Sequence, residues 1–138
     1  MKKIVFVFVF LFAISFQTYA QWFWQTPLPN GSYLSAVCFI NENSGWAVGN
    51  AGTILRTTNG GNTWSSQSSG TYNDLVDVSF TDSNNGTAVG GNGTILRTTD
   101  AGNTWTLQSS GTSNLLLGVS FSDSNNGTAV GEYGTIRR

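Results

Sequence analysis

The chain has no histidine, a single cysteine, two prolines, and only two lysines, both within its first three residues. Without histidine there is no imidazole base and none of the commonest metal ligand. Lone Cys38 excludes an intramolecular disulfide. No histidine stands ready to activate it, so a small buried strand residue is the better reading than a reactive thiol. Charged residues make up only 9% of the sequence, with no basic run, which argues against nucleic acid as a partner. So little charge also argues against a long disordered tail. The sequence has no phosphate-binding glycine loop and no CxxC pair, so no nucleotide, redox cofactor or metal is expected. What it has in quantity is glycine, serine, threonine, asparagine and aromatics, a composition suited to short strands joined by tight turns.

The first 20 residues read as a secretory signal peptide. Lys2 and Lys3 form a basic start, Ile4 to Phe16 is almost wholly apolar, and Thr18-Tyr19-Ala20 offers small residues for cleavage. The apolar run is shorter than the ~20 residues a membrane span needs, so no transmembrane segment is expected after cleavage. The mature chain would begin at Gln21, with four arginines against seven acids and a net charge of −3. An exported protein is expected, in the periplasm, on the cell surface or outside the cell.

Self-comparison organises the remainder. Gly45, Gly86 and Gly127 are 41 residues apart, as are Gly49, Gly90 and Gly131, and Arg56, Arg97 and Arg138. Residues 76–97 and 117–138 are identical at 16 of 22 positions, so these are internal repeats. Each repeat reads as four strands. The first covers 34–40, 75–81 and 116–122, with Val37/Phe39, Val78/Phe80 and Val119/Phe121 on one face at period two. After a polar Asn/Asp turn the second strand runs Gly45–Gly49, Gly86–Gly90 and Gly127–Gly131. A glycine-bounded turn of two residues leads to the third strand, 53–58 and 94–99, and the fourth is expected to start at Thr63 and Thr104.

The turn between third and fourth strands carries the sharpest motif. Thr98, Asp100, Gly102, Thr104 and Trp105 fit the Asp-box pattern S/T-x-D-x-G-x-T-W, and Thr57, Asn59, Gly61, Thr63 and Trp64 repeat it with an amide for the carboxylate. A turn acceptor at that position can take hydrogen bonds from nearby amides and hydroxyls, and the indole buries a large face. These residues are expected to be structural.

Four-stranded units of about 40 residues are the blades of β-propellers. The expected fold is therefore all-β: an incomplete propeller of about two and a half blades (34–74, 75–115 and 116–138) preceded by an orphan strand and linker over 21–33. Within it, residues 22–29 align with the fourth strand one period later. Closed propellers have 4–8 blades, so either a longer chain or self-association is expected.

The phrases Gly45-Trp46-Ala47-Val48-Gly49, Gly52-Thr53-Ile54-Leu55-Arg56-Thr57 and Asn59-Gly60-Gly61-Asn62-Thr63-Trp64 resemble the photosystem II stability/assembly factor family of cyanobacteria and chloroplasts. Its repeats are related to bacterial neuraminidase (BNR) repeats. The resemblance covers about residues 22–138. It implies a non-catalytic propeller that binds partner proteins, and it makes Arg56, Arg97 and Arg138 candidates for partner contact, since arginines contribute to binding in that family.

Loop positions that differ between repeats add Tyr72, Asn92, Glu132 and Tyr133 as candidate contacts. The alternatives are a sialidase-like glycoside hydrolase, a carbohydrate-binding propeller, and a repeat of a larger surface adhesin with a C-terminal sorting domain. Against the hydrolase, Glu132 and Tyr133 are neighbours, which on a strand would face opposite ways. Asp82–Gly86 and Asp123–Gly127 resemble calcium loops only faintly and lack the distal bidentate Glu.

Overall fold

The structure is a computed structural model and describes residues 31–138. The expected signal peptide (1–20) and orphan strand (22–29) lie outside the described residues.

Among the described residues, eleven strands form three antiparallel sheets. Blade 1 is β1 (Leu34–Phe39), β2 (Gly45–Gly49), β3 (Ile54–Thr57) and β4 (Ser65–Gln67), in that order across the sheet. Blade 2 repeats it with β5 (Leu75–Phe80), β6 (Gly86–Gly90), β7 (Ile95–Thr98) and β8 (Thr106–Gln108). Blade 3 has three strands, β9 (Leu116–Phe121), β10 (Gly127–Gly131) and β11 (Thr135–Arg137). The chain is an incomplete β-propeller.

The second strands begin and end on glycine because other groups occupy the space of a side chain. A Cβ on Gly86 would lie 2.3 Å from the Phe80 ring, and one on Gly90 would lie 2.0 Å from the Asp74 carbonyl oxygen. The first strands each carry a bulge at their second residue, where the register slips between Leu34 and Ala36, between Leu75 and Asp77, and opposite Val130–Gly131. The bulge lets Leu75 and Val78, three residues apart, both point into the core.

Two turn expectations need correction. The turns after the second strands, Asn50–Gly52, Gly91–Gly93 and Glu132–Gly134, place a non-glycine in the left-handed region as well as a glycine: Ala51, Asn92 and Tyr133 all have φ of 52°. The fourth strands start at Ser65 and Thr106, two residues later than expected. The Thr63 and Thr104 amides bond to the side chains of Asn59 and Asp100, each at 2.9 Å, and so are taken from the ladder.

The core lies between blades. Trp46, Val48 and Ile54 of blade 1 pack with Leu75, Val78, Phe80, Ala88, Leu96 and Trp105 of blade 2. A smaller cluster joins Val89 of blade 2 to Leu116 and Ala129 of blade 3. Cys38 is half-buried against the first cluster.

Candidate functional site

The loops divide between two faces. On one face, the first two turns after second strands are bonded to the blade connectors on either side, and the third to the connector before it. The Asn50 amide donates to Tyr33 O, and the Ala51 amide to Asp74 Oδ1 at 2.8 Å. The Gly91 amide donates to Asp74 O, and the Gly93 amide to Asn114 O. Asn73 and Asn114, equivalent in the repeat, donate to the Thr94 and Thr135 hydroxyls. Asn92 donates to Asn73 Oδ1 at 3.1 Å. Glu132 is exposed, and its amide donates to Leu115 O. Tyr72 and Tyr133 stand almost free of the surface, at 93% and 90% exposure.

On the opposite face, the turns after the first and third strands meet. The Gly60 amide donates to Asn43 O, and the Ala101 amide to Asn84 O. In the Thr98–Trp105 turn, Asp100 Oδ1 accepts from the Thr98 hydroxyl and the Thr104 amide, while Oδ2 accepts from the Thr104 hydroxyl at 2.7 Å. The Gly102 amide donates back to Thr98 Oγ1 at 2.8 Å. In the other copy the Thr57 hydroxyl donates to Asn59 Oδ1, and Asn59 Nδ2 donates to the Thr63 hydroxyl. Trp64 and Trp105 set their rings edge-on to Phe39 and Phe80. The Thr104 amide and hydroxyl hold the Asp100 carboxyl below its ordinary value. Asp82 and Asp123 are lowered in the same direction, chiefly by the amides of Asn84 and Asn125, so these turns bond inward onto their own backbone.

The repeated arginines lie at the seams between blades. Arg56 stacks on Trp46, its guanidinium carbon 5.6 Å from the ring centroid, and its Nε is buried without a hydrogen-bond partner among the described residues. It borders an open groove of about 270 Å³ with Ser65, Ser66, Gln67, Ser68, Gly102 and Asn103. Arg97 lies 5.1 Å over the Phe121 ring of the next blade. It donates to Thr87 Oγ1 at 3.0 Å and to the Ser124 carbonyl in the next blade's turn. Arg138 follows β11 and is exposed. The same repeat position thus puts Arg56 and Arg97 at successive seams, while Tyr72, Asn92, Glu132 and Tyr133 lie on the loop face. The serine-lined groove beside Arg56, and Trp46 beneath it, have no counterpart among the sequence candidates. The one sequence signal was the exchange of Trp46 for threonine at 87 and 128. Among the described residues no cluster of His, Cys, Asp or Glu could hold a metal, and no helix is long and apolar enough to cross a membrane.

Repeated four-stranded blades, bonded loops on two faces and arginines at the seams define a β-propeller repeat protein. Residues 65–138 match the model of the photosynthesis system II assembly factor YCF48 family, and the chain belongs to that family. A solved structure described as "YCF48 bound to D1 peptide" resembles it in fold, at 24% identity and a TM-score of 0.71, over 79% of this chain and 36% of that one. The structure of YCF48 from Cyanidioschyzon merolae is similar at 29% identity and a TM-score of 0.70, over 81% of this chain and 38% of that one. The chain therefore spans a little over a third of the length of these two relatives. None of the curated proteins compared matches it.

Proposed function

We propose that this chain is a non-catalytic, exported propeller module that binds an extended segment of a partner protein. The observation that carries this reading is the family match over residues 65–138, whose description is that of an assembly factor. The geometry supplies a place for such a segment. Arg56 offers a guanidinium without an acidic partner beside a groove lined with hydroxyls and the Gln67 amide. That chemistry suits a peptide carrying a carboxylate, which arginine can grip with paired donors. We read the Thr57–Trp64 and Thr98–Trp105 turns as Asp-box turns that brace the blades and leave binding to the groove and the loop face. Export rests on the composition of residues 1–20.

One relative is described as bound to D1 peptide, so that peptide is the first probe. Titration calorimetry is expected to show binding that weakens with salt and falls at least about tenfold in Arg56→Ala. No heat of binding at any salt concentration would sink the reading. Binding that Arg56→Ala leaves intact would move the site to the loop face, where Tyr72→Ala is the next variant.

A further inference from the structure

We propose that the groove beside Arg56 continues along β4 to Tyr72, making one trough with a cationic end and an aromatic end. Its occupant is an extended peptide that carries a carboxylate and, further along, an aromatic or proline side chain. This rests on the peptide-binding function proposed above and assigns that site a second anchor.

Two open hollows meet on the outer strand of blade 1. The first, of about 270 Å³, is the one that Arg56 borders, with Gly102 and Asn103 of the blade 2 turn also lining it. The second, of about 360 Å³, follows the connector out of β4 and ends at Tyr72. Gln67 and Ser68 line both. Gln67 is a fixed wall, because its Nε2 donates to Ala101 O of blade 2 at 3.1 Å. The blades on either side, 1 and 2, each have all four strands. β4 is the last strand of its sheet, and such an edge offers unpaired backbone groups to an extended partner.

The repeat supplies the control. Residues 108–112 repeat residues 67–71 without a change, Gln-Ser-Ser-Gly-Thr, but serine stands at 113 where tyrosine stands at 72. At that second seam Arg97 is spent on Thr87 and on the Ser124 carbonyl, whereas Arg56 Nε has no hydrogen-bond partner among the described residues. The uncommitted cation and the exposed ring therefore occur together at one seam and are both missing from the other. At 93% exposure the Tyr72 ring contributes nothing to the packing of either blade. A tyrosine in that position offers a large, rigid face at low entropic cost, and aromatic faces pair with other rings. Between the two ends the lining holds serine and threonine hydroxyls and no charged group, which suits the carbonyls and amides of a main chain. The guanidinium sets the charge of one end of the peptide.

Calorimetric titration of the whole chain with the D1 peptide tests this, on Arg56→Ala, Tyr72→Ala and Tyr72→Phe. Tyr72 is exposed, so its truncation leaves the core intact. Tyr72→Ala is expected to weaken binding about threefold to tenfold with its salt dependence unchanged, and Tyr72→Phe to keep it. Arg56→Ala is expected to flatten the salt dependence. An alanine scan of the peptide against both variants then locates the two ends. The position that stops mattering in Tyr72→Ala is expected to be aromatic or proline, and the one that stops mattering in Arg56→Ala to carry a carboxylate. Binding that Tyr72→Ala leaves unchanged overturns the trough while the Arg56 site stands. One peptide position coupled to both variants also overturns it, because the two ends would then touch a single residue. A wild-type chain that binds no peptide overturns both the trough and the function on which it rests.

Discussion

The seam between blades 1 and 2 is closed by an indole, and the seam between blades 2 and 3 by a guanidinium. In the first, Trp46 stacks on Phe80 with ring centroids 3.6 Å apart and donates its Nε1 hydrogen to Ala101 O at 3.1 Å. Gln67 Nε2 donates to the same carbonyl. In the second, Thr87 replaces the tryptophan, and Arg97 lies over Phe121 in its place. A cleft of about 200 Å³ remains there, lined by Val89, Ile95, Val119 and Phe121 and reached by Arg137. One backbone frame thus accepts two solutions to the same packing problem. The apolar solution fills space and bonds a buried polar group, whereas the charged solution leaves room and relies on hydrogen bonds to a turn. Voids forfeit dispersion contacts, so the first seam should be the stronger.

Truncating the indole is the most direct way to break that comparison. Trp46→Ala is expected to cost about 3–5 kcal/mol, the range for large buried aromatics, while Thr87→Ala should cost about 0.5–1.5 kcal/mol for one lost hydrogen bond. Urea denaturation of both variants checks this. Equal losses would mean that the seams share their load evenly and that filling space is not what separates them.

How far the sequence foretold these seams depends on the residue. The second strands were legible to the residue, because the glycines at their two ends are forced by a ring of the first strand and a carbonyl of the connector that leads into it. The first strands were legible as strands, but period-two reading hides the bulge that brings both Leu75 and Val78 inward. The fourth strands began late because a side-chain acceptor competes with the ladder for the Thr63 and Thr104 amides, which no hydrophobic pattern reports. The arginine positions followed from the 41-residue period. Their surroundings did not, because the ring beneath each guanidinium comes from a different strand: Trp46 on β2 for Arg56, and Phe121 on β9 for Arg97. A repeat fixes position within a blade, whereas a seam depends on pairs of blades that have diverged separately.

The arginines sharpen the comparison at smaller cost. Arg97→Ala removes a ring contact and bonds to Thr87 and Ser124, so a loss of about 1–3 kcal/mol is expected. Arg56→Ala removes a ring contact alone, from a seam that Trp46 already closes, and about 0.5–1 kcal/mol is expected. Thermal melting of the two variants should place Arg97→Ala lower. The reverse order would mean that the indole in the first seam depends on its cation more than on its packing.

Acid should reach both seams through their turns, with the smallest effect. The Ala101 carbonyl that receives Trp46 belongs to the turn held by Asp100, and the Ser124 carbonyl that receives Arg97 follows Asp123. Both carboxyls titrate below their ordinary value of 3.8 in the folded chain, chiefly because the Thr104 and Asn125 amides bond the ionised form. Such a group binds protons more tightly unfolded than folded. Its contribution is therefore fully present above the unfolded value and is lost as pH falls through the lower, folded one. Stability should be flat from neutral pH to about 5 and then decline below about 4. Asp100→Asn converts its turn to the chemistry of Asn59, which bonds Thr63 through both its oxygen and its nitrogen without a titrating group. This variant should lose little at neutral pH and show a shallower decline in acid, measured as melting temperature against pH. If the acid slope is unchanged, the decline belongs to Asp82 and Asp123, and the first seam owes its strength to the indole rather than to the ionised turn beneath it.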